Sequence, residues 1–149
     1  MSIKAFKGQR LFKGLSRDFL AQLDAIAVQE SKAKGEIIIK NGDPAKNFYL
    51  LEEGRICIRS ERKQNSVSFL HTPGDFFGWS CLLDRPAYSA SAECVVPSSL
   101  VRIEKKKLHA LIKKDCLNGL TFIKNFADII GGRFLDTHSA HDWFPAIET

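Results

Sequence analysis

Residues 76–92 read FFGWSCLLDRPAYSASA. Gly78 stands between aromatic rings, the short apolar run Cys81–Leu83 follows, and Pro86 marks a turn. From Tyr88 small residues alternate with others in the period-two rhythm of a strand. A strand at the end of this stretch implies β structure around it.

That β structure is predicted on both flanks. Turn signals recur every eight to twelve residues: NGDPA at 41–45, EEG at 52–54, RKQN at 62–65 and TPGD at 72–75. Between them EIIIK, NFYLL, RICIRS, SVSFLH, YSASAECV and SLVRI read as short strands, in which Ile56 and Ile58, or Val67 and Phe69, alternate with residues of the opposite face. This spacing predicts a sandwich or jelly roll.

Helical periods bracket the strands. In SRDFLAQLDAIA, Ser16 is the expected N-cap, and Phe19, Leu20, Leu23, Ile26 and Ala27 form one stripe. SKAKG then leads to Gly35, where the strands begin. After Ile103, EKKKLHALIKK and CLNGLTFIKNFADIIGGRFLDTH predict two helices with a break near Asp115. In the second, Leu120, Ile123, Ala127, Ile130 and Phe134 follow 3-4-3-4 spacing, an a/d seam that suits pairing with a twin chain. A second row, Phe122, Phe126 and Ile129, lies beside it and suits docking on the roll. Gly131 and Gly132 weaken the helix and mark a bend or a close crossing.

A chain of 149 residues, 44% hydrophobic and 26% charged, fits one ordinary globular domain and excludes disordered or fibrous classes. The expected boundaries are a domain over 1–138, with the first helix and roll over 11–103 and the terminal helices over 104–138, then a tail over 139–149. In that tail Trp143 and Phe144 either fold back on the body or meet a partner. No apolar stretch is long enough to span a membrane, and MSIKAFKGQRLF lacks a signal-peptide centre, so a cytoplasmic location is expected. Cys57, Cys81, Cys94 and Cys116 lack metal-binding spacing and read as reduced thiols; neither metal nor cofactor is expected. The net charge is +5, with lysines gathered in IEKKKLHALIKKD. These form a solvated face or an anion-meeting patch.

Taken in order, LFKGLSRDFLAQL, GEIIIKNGDPAKNFYLLEEGRICI and PGDFFGWSCLL followed by AYSASAEC resemble the cyclic-nucleotide-binding domain of the catabolite-activator (Crp/Fnr) and cAMP-dependent-kinase regulatory families. The likeness covers residues 11–135. It implies a mainly β fold with flanking helices: a double-stranded β-helix (jelly roll) with an N-terminal helix, a short cassette helix and two C-terminal helices. It also implies a ligand site in the cassette, at Phe77, Gly78, Trp79, Ser80, Cys81, Tyr88, Ser89 and Ala90. In the family the glycine matching Gly78 lets the backbone approach a cyclic phosphate. Pure turn geometry is the other reading of Gly78.

Two positions depart from the family pattern. A glutamate that accepts the ribose hydroxyl is replaced by Trp79, which offers an indole N–H. An arginine that grips the cyclic phosphate is replaced by Tyr88. Such a charged contact is worth about 2–5 kcal/mol in a partly desolvated pocket, so losing it weakens a ligand roughly 30-fold to several thousand-fold. Trp79 and Tyr88 either fill the cavity as core or line a recast site for a small anionic or aromatic ligand. Arg85 and Arg133 are the candidate substitute cations; the other readings are a surface turn arginine for Arg85 and a solvated or dimer-edge residue for Arg133, late in the last helix.

The expected function is a non-enzymatic ligand-sensing or regulatory module with altered or lost cAMP and cGMP binding, dimerising through its last helix. The alternative is the sensor part of a Crp/Fnr-type transcription regulator acting through a partner or a missing DNA-binding domain. Direct DNA binding by residues 1–149 is not expected, because only about a dozen residues follow His138. A cupin-like metalloenzyme would need clustered histidines, and His71, His109, His138 and His141 are scattered. Haem ligation would fall to His71 or Cys81.

Overall fold

A computed structural model describes residues 3–6, 8–60 and 66–137, and it has the expected mainly β architecture. After two 3-10 turns, helix α1 spans Arg17–Ile26, and Ser16 caps it by accepting the Phe19 N–H at 3.1 Å. Phe19, Leu20 and Leu23 are its buried residues.

Eight strands follow: β1 (Ala27–Lys32), β2 (Ile37–Ile39), β3 (Asn47–Glu53), β4 (Ile56–Ser60), β5 (Ser66–Leu70), β6 (Phe76–Phe77), β7 (Ser91–Cys94) and β8 (Ser98–Glu104). They form two four-stranded antiparallel sheets, ordered β1-β8-β3-β6 and β2-β7-β4-β5. The chain ends in α2 (Lys105–Lys114) and α3 (Cys116–Thr137), separated at Asp115 as the sequence predicts.

Two strands escape sequence patterning. Hydropathy carries the α1 stripe through Ala27, yet β1 starts there. Its sequence AVQESK has no buried residue, because its cohesion comes from the β8 ladder and from charges. Arg102 Nε donates to Glu30 at 2.6 Å, and Lys32 pairs with Glu30 at 3.3 Å and Glu36 at 3.2 Å. Strand β6 is only two residues long, and its pairing with Tyr49 and Leu50 is non-local.

Val67 and Phe69 alternate with Ser68 along β5, as expected. Val67 and Phe69 pair with Arg59 and Cys57 and remain 43% and 45% exposed, with the Arg55 guanidinium 4.5 Å over the Phe69 ring. Ser68 pairs with Ile58 and is itself exposed. Cys57, Cys81 and Cys94 are buried free thiols, and Cys116 is an exposed one.

The two apolar rows of α3 divide the work. Phe122, Phe126 and Ile129 are buried, and Phe122 meets Phe48 edge-on at 6.3 Å. Leu120 is 58% exposed, Ala127 is exposed, and Ile123, Ile130 and Phe134 are half-buried. Asn118 and Ser16 exchange hydrogen bonds at 3.0 and 3.2 Å, and Asn125 donates to the Leu11 and Lys13 carbonyls, so α3 is tied to the start of the chain. The helix runs through Gly131 and Gly132 uninterrupted. Among the described residues, a methyl at either would meet nothing within 4 Å. The expected turn at 62–65 and the tail with Trp143 and Phe144 lie outside the described residues.

Gly54 shows why one turn demands glycine. Its φ is +117°, and a Cβ would stand 2.7 Å from Ser98 Cα. Gly54→Ala is therefore expected to lower the unfolding free energy by more than about 2 kcal/mol, since backbone must shift as well as strain. Gly131→Ala, in open helix, should raise it by about 0.5–1 kcal/mol. Urea denaturation of both variants measures the contrast, and equal effects would contradict this account of the turn.

Candidate functional site

Gly78 ends β6 and begins the 3-10 helix Trp79–Leu82, with φ +72° and ψ 23°. A Cβ there would lie 3.0 Å from the Asn47 carbonyl oxygen and 3.1 Å from the Tyr49 ring. Positive φ and close approach to β3 thus require glycine at 78 whatever else binds nearby. Beneath it the Tyr49 and Phe77 rings stack at 5.1 Å and 9°.

The other end of the cassette is fixed by backbone bonds. The Tyr88 N–H donates to Asp43 O at 2.9 Å, Gly42 N–H to Tyr88 O at 2.9 Å and Ala45 N–H to Pro86 O at 3.0 Å. The turn signals NGDPA and DRPA are therefore two halves of one clasp. The Tyr88 hydroxyl completes it, donating to Asn47 O at 2.6 Å and accepting from Asn47 N–H at 2.9 Å. The side chain is 7% exposed, and burial pushes its phenol pKa well up.

Between the cassette, the β2-β7-β4-β5 sheet and α3 lies a cavity of about 660 Å³. Its walls include seven of the eight cassette residues expected from sequence: Phe77, Gly78, Trp79, Ser80, Tyr88, Ser89 and Ala90. Cys81 is not among the wall residues. It is wholly buried, and burial pushes its thiol up to about 12, which disfavours the thiolate a haem iron would need. His71 is exposed, and no group of three metal-ligating side chains occurs among the described residues.

The two substitute cations separate. Arg85 is exposed on its turn and outside the cavity wall. Arg133 is in the wall, with its guanidinium 4.8 Å from the centre of the Phe76 ring. Burial lowers its pKa, the Asp75 carboxylate raises it and Arg10 lowers it further.

Sequence reading missed the opposite wall, formed by Ile39, Ile58, Ser68 and Leu70, together with Asp75. Ile130 and Phe134, assigned to the seam by period alone, also line the cavity. Helical spacing reports which residues share a face, not what the face meets.

Aromatic contacts join the cassette to α3. Trp79 lies 5.7 Å from Phe126, and Phe76 lies 5.7 Å from the same ring and 5.6 Å from Phe48. His109 Nε2 donates to the Cys81 carbonyl at 3.1 Å, adding α2 to the connection. The short helix thereby contacts both terminal helices.

The family described as Cyclic nucleotide-binding domain matches residues 29–115. The cAMP-dependent protein kinase regulatory subunit of Dictyostelium discoideum is 32% identical over 84 residues, 52% of this chain and 25% of that protein. The present sequence therefore spans about a quarter of that relative. Among solved structures, a candidate cyclic nucleotide-binding protein from Geobacter metallireducens superposes with a TM-score of 0.78 at 25% identity, covering 89% of this chain and 98% of the other. The sensor domain of the transcriptional regulator DNR from Pseudomonas aeruginosa gives 0.70 at 25% identity, covering 85% and 91%.

The Tyr88 hydroxyl generates a direct prediction. Tyr88→Phe removes both bonds to Asn47 inside a buried setting and should cost about 1–3 kcal/mol of stability. A shift of the urea midpoint at unchanged slope reports it. No shift would mean that the clasp does not depend on the phenol.

Proposed function

Because this chain belongs to the cyclic nucleotide-binding domain family, we propose that it is a non-enzymatic, cytoplasmic ligand-sensing module of regulatory type that has lost or strongly weakened cAMP and cGMP binding. One observation carries the reading. Tyr88 stands at the position matching the family's phosphate-gripping arginine, and both hydrogen-bonding functions of its hydroxyl are committed to Asn47. Trp79, at the position matching the ribose-binding glutamate, contributes an indole and no acceptor.

The cavity nevertheless has room, and its size falls within the range of about 300–1,000 Å³ usual for small-molecule sites. The ligand proposed is small and either anionic or aromatic. Its entry would bias the packing of Trp79 and Phe76 against Phe126, shifting α3 between two arrangements. Residues 1–138 would form the working domain, with α3 as the output.

A second reading makes the chain the sensor part of a Crp/Fnr-type regulator acting through a partner or a separate DNA-binding domain. Its likeness to the DNR sensor domain favours this. Both readings use α3 to pair two copies along Leu120, Ile123, Ala127, Ile130 and Phe134.

Titration of the purified protein with cAMP and cGMP, followed by tryptophan fluorescence and calorimetry, is expected to show no saturation at micromolar concentrations. Micromolar binding would overturn the proposed loss. Sedimentation is expected to find a dimer that Leu120→Glu with Ala127→Glu converts to monomer, because both residues are exposed and stand outside the cavity wall. A monomeric parent protein would remove the pairing.

A further inference from the structure

The cavity wall is richer in hydroxyls than in charge, which narrows the ligand further on the premise that the cavity is a ligand site. Five serines line it: Ser60 on β4, Ser68 on β5, Ser80 on the short helix, Ser89 before β7 and Ser91 at its start. Among the described residues of the wall only Asp75 and Arg133 are charged, and they are of opposite sign. The Asp75 carboxylate acts on the guanidinium, which also lies 4.8 Å from the centre of the Phe76 ring. The charges of the described wall therefore balance, and no surplus of either sign is left to neutralise an ionic ligand.

A serine hydroxyl both donates and accepts, so it meets a neutral hydroxyl or carbonyl without a counter-charge. The serines fall in two places. Ser80 and Ser89 belong to the cassette, where Phe77 and Trp79 supply rings. Ser68 belongs to the opposite wall. Across the sheet Ala92 pairs with Ile58 and Ile58 with Ser68, so apolar residues lie between the two polar places. Because β4 separates β7 from β5, about 10 Å of sheet lies between those two strands. A fused pair of aromatic rings, with one polar group at each far edge, is matched to such a span.

We propose that the cavity takes an uncharged fused-ring compound with a hydroxyl or carbonyl group at each of two opposite edges, one met by Ser80 and Ser89 and the other by Ser68. Its flat body lies against Trp79, whose ring also meets Phe126 of α3 at 5.7 Å. Such a ligand has no need of a charged grip, and it agrees with a cassette in which the Tyr88 phenol is committed to Asn47. The serines are the specificity-determining residues for the polar edges, and Trp79 for flatness.

The test is isothermal titration of the full chain with 2-naphthol, 2,6-dihydroxynaphthalene and naphthalene-2,6-dicarboxylate. The diol is expected to bind about three- to tenfold more tightly than 2-naphthol, the span of one neutral hydrogen bond, and the dicarboxylate is expected not to saturate. In Ser80→Ala with Ser89→Ala, and separately in Ser68→Ala, 2-naphthol should still bind, which also reports a folded cavity, and the preference for the diol should fall toward one. Ser68 is exposed on β5, so its replacement leaves the packing of the cassette unaltered. A diol no tighter than 2-naphthol, a preference that survives either variant, or a dicarboxylate that binds as tightly as the diol overturns this inference while leaving the cavity a ligand site. Failure of the parent protein to bind either naphthol overturns the ligand-site reading beneath it.

Discussion

The backbone of Asn47 is the point on which the site depends. Gly78 packs against its carbonyl with no room for a side chain, and the Tyr88 hydroxyl bonds its carbonyl and its amide together. The two ends of the cassette are thus fastened to one residue of a central strand. Asn47 is itself paired with Glu104 of β8, and β6 pairs with β3 two residues further on, at Tyr49 and Leu50. The helix Trp79–Leu82 hangs between the fastenings, free to present rings to the cavity and to α3.

On the proposed loss of nucleotide binding, this arrangement would let a family scaffold keep its shape while its chemistry changes. A charged side chain at 88 would have to be met by an anion, whereas the phenol is satisfied by the protein's own backbone. Trp79 meets Phe126 at 5.7 Å, so its ring joins the cassette to α3. The packed rings Phe48, Phe76, Trp79, Phe122 and Phe126, with the His109 bond to Cys81, connect the cassette to the terminal helices. Such a cluster has few intermediate packings, which suits a two-state output.

How far the molecule was legible in its sequence depends on the range of the forces involved. Turns at Gly42, Gly54 and Gly74 are local and were visible, as was the Ser16 cap, because positive φ and capping chemistry leave residue-type signatures. Strand β1 was not, since its stability comes from a ladder with β8 and from Glu30, Lys32 and Arg102, none of which produces apolar alternation. The cassette wall of the cavity was legible as a contiguous motif. The wall made by Ile58, Ser68 and Leu70, and the turn of Ile130 and Phe134 into the cavity, arise from tertiary pairing and carry no mark in the local pattern.

The central claim is that two rings occupy the places of two charged grips on an otherwise intact scaffold. Isothermal titration of a Trp79→Glu, Tyr88→Arg double variant with cAMP tests it most directly, with circular dichroism to verify the fold. The account predicts saturable binding at micromolar concentrations where the parent protein shows none. A folded double variant that remains silent toward cAMP would contradict it.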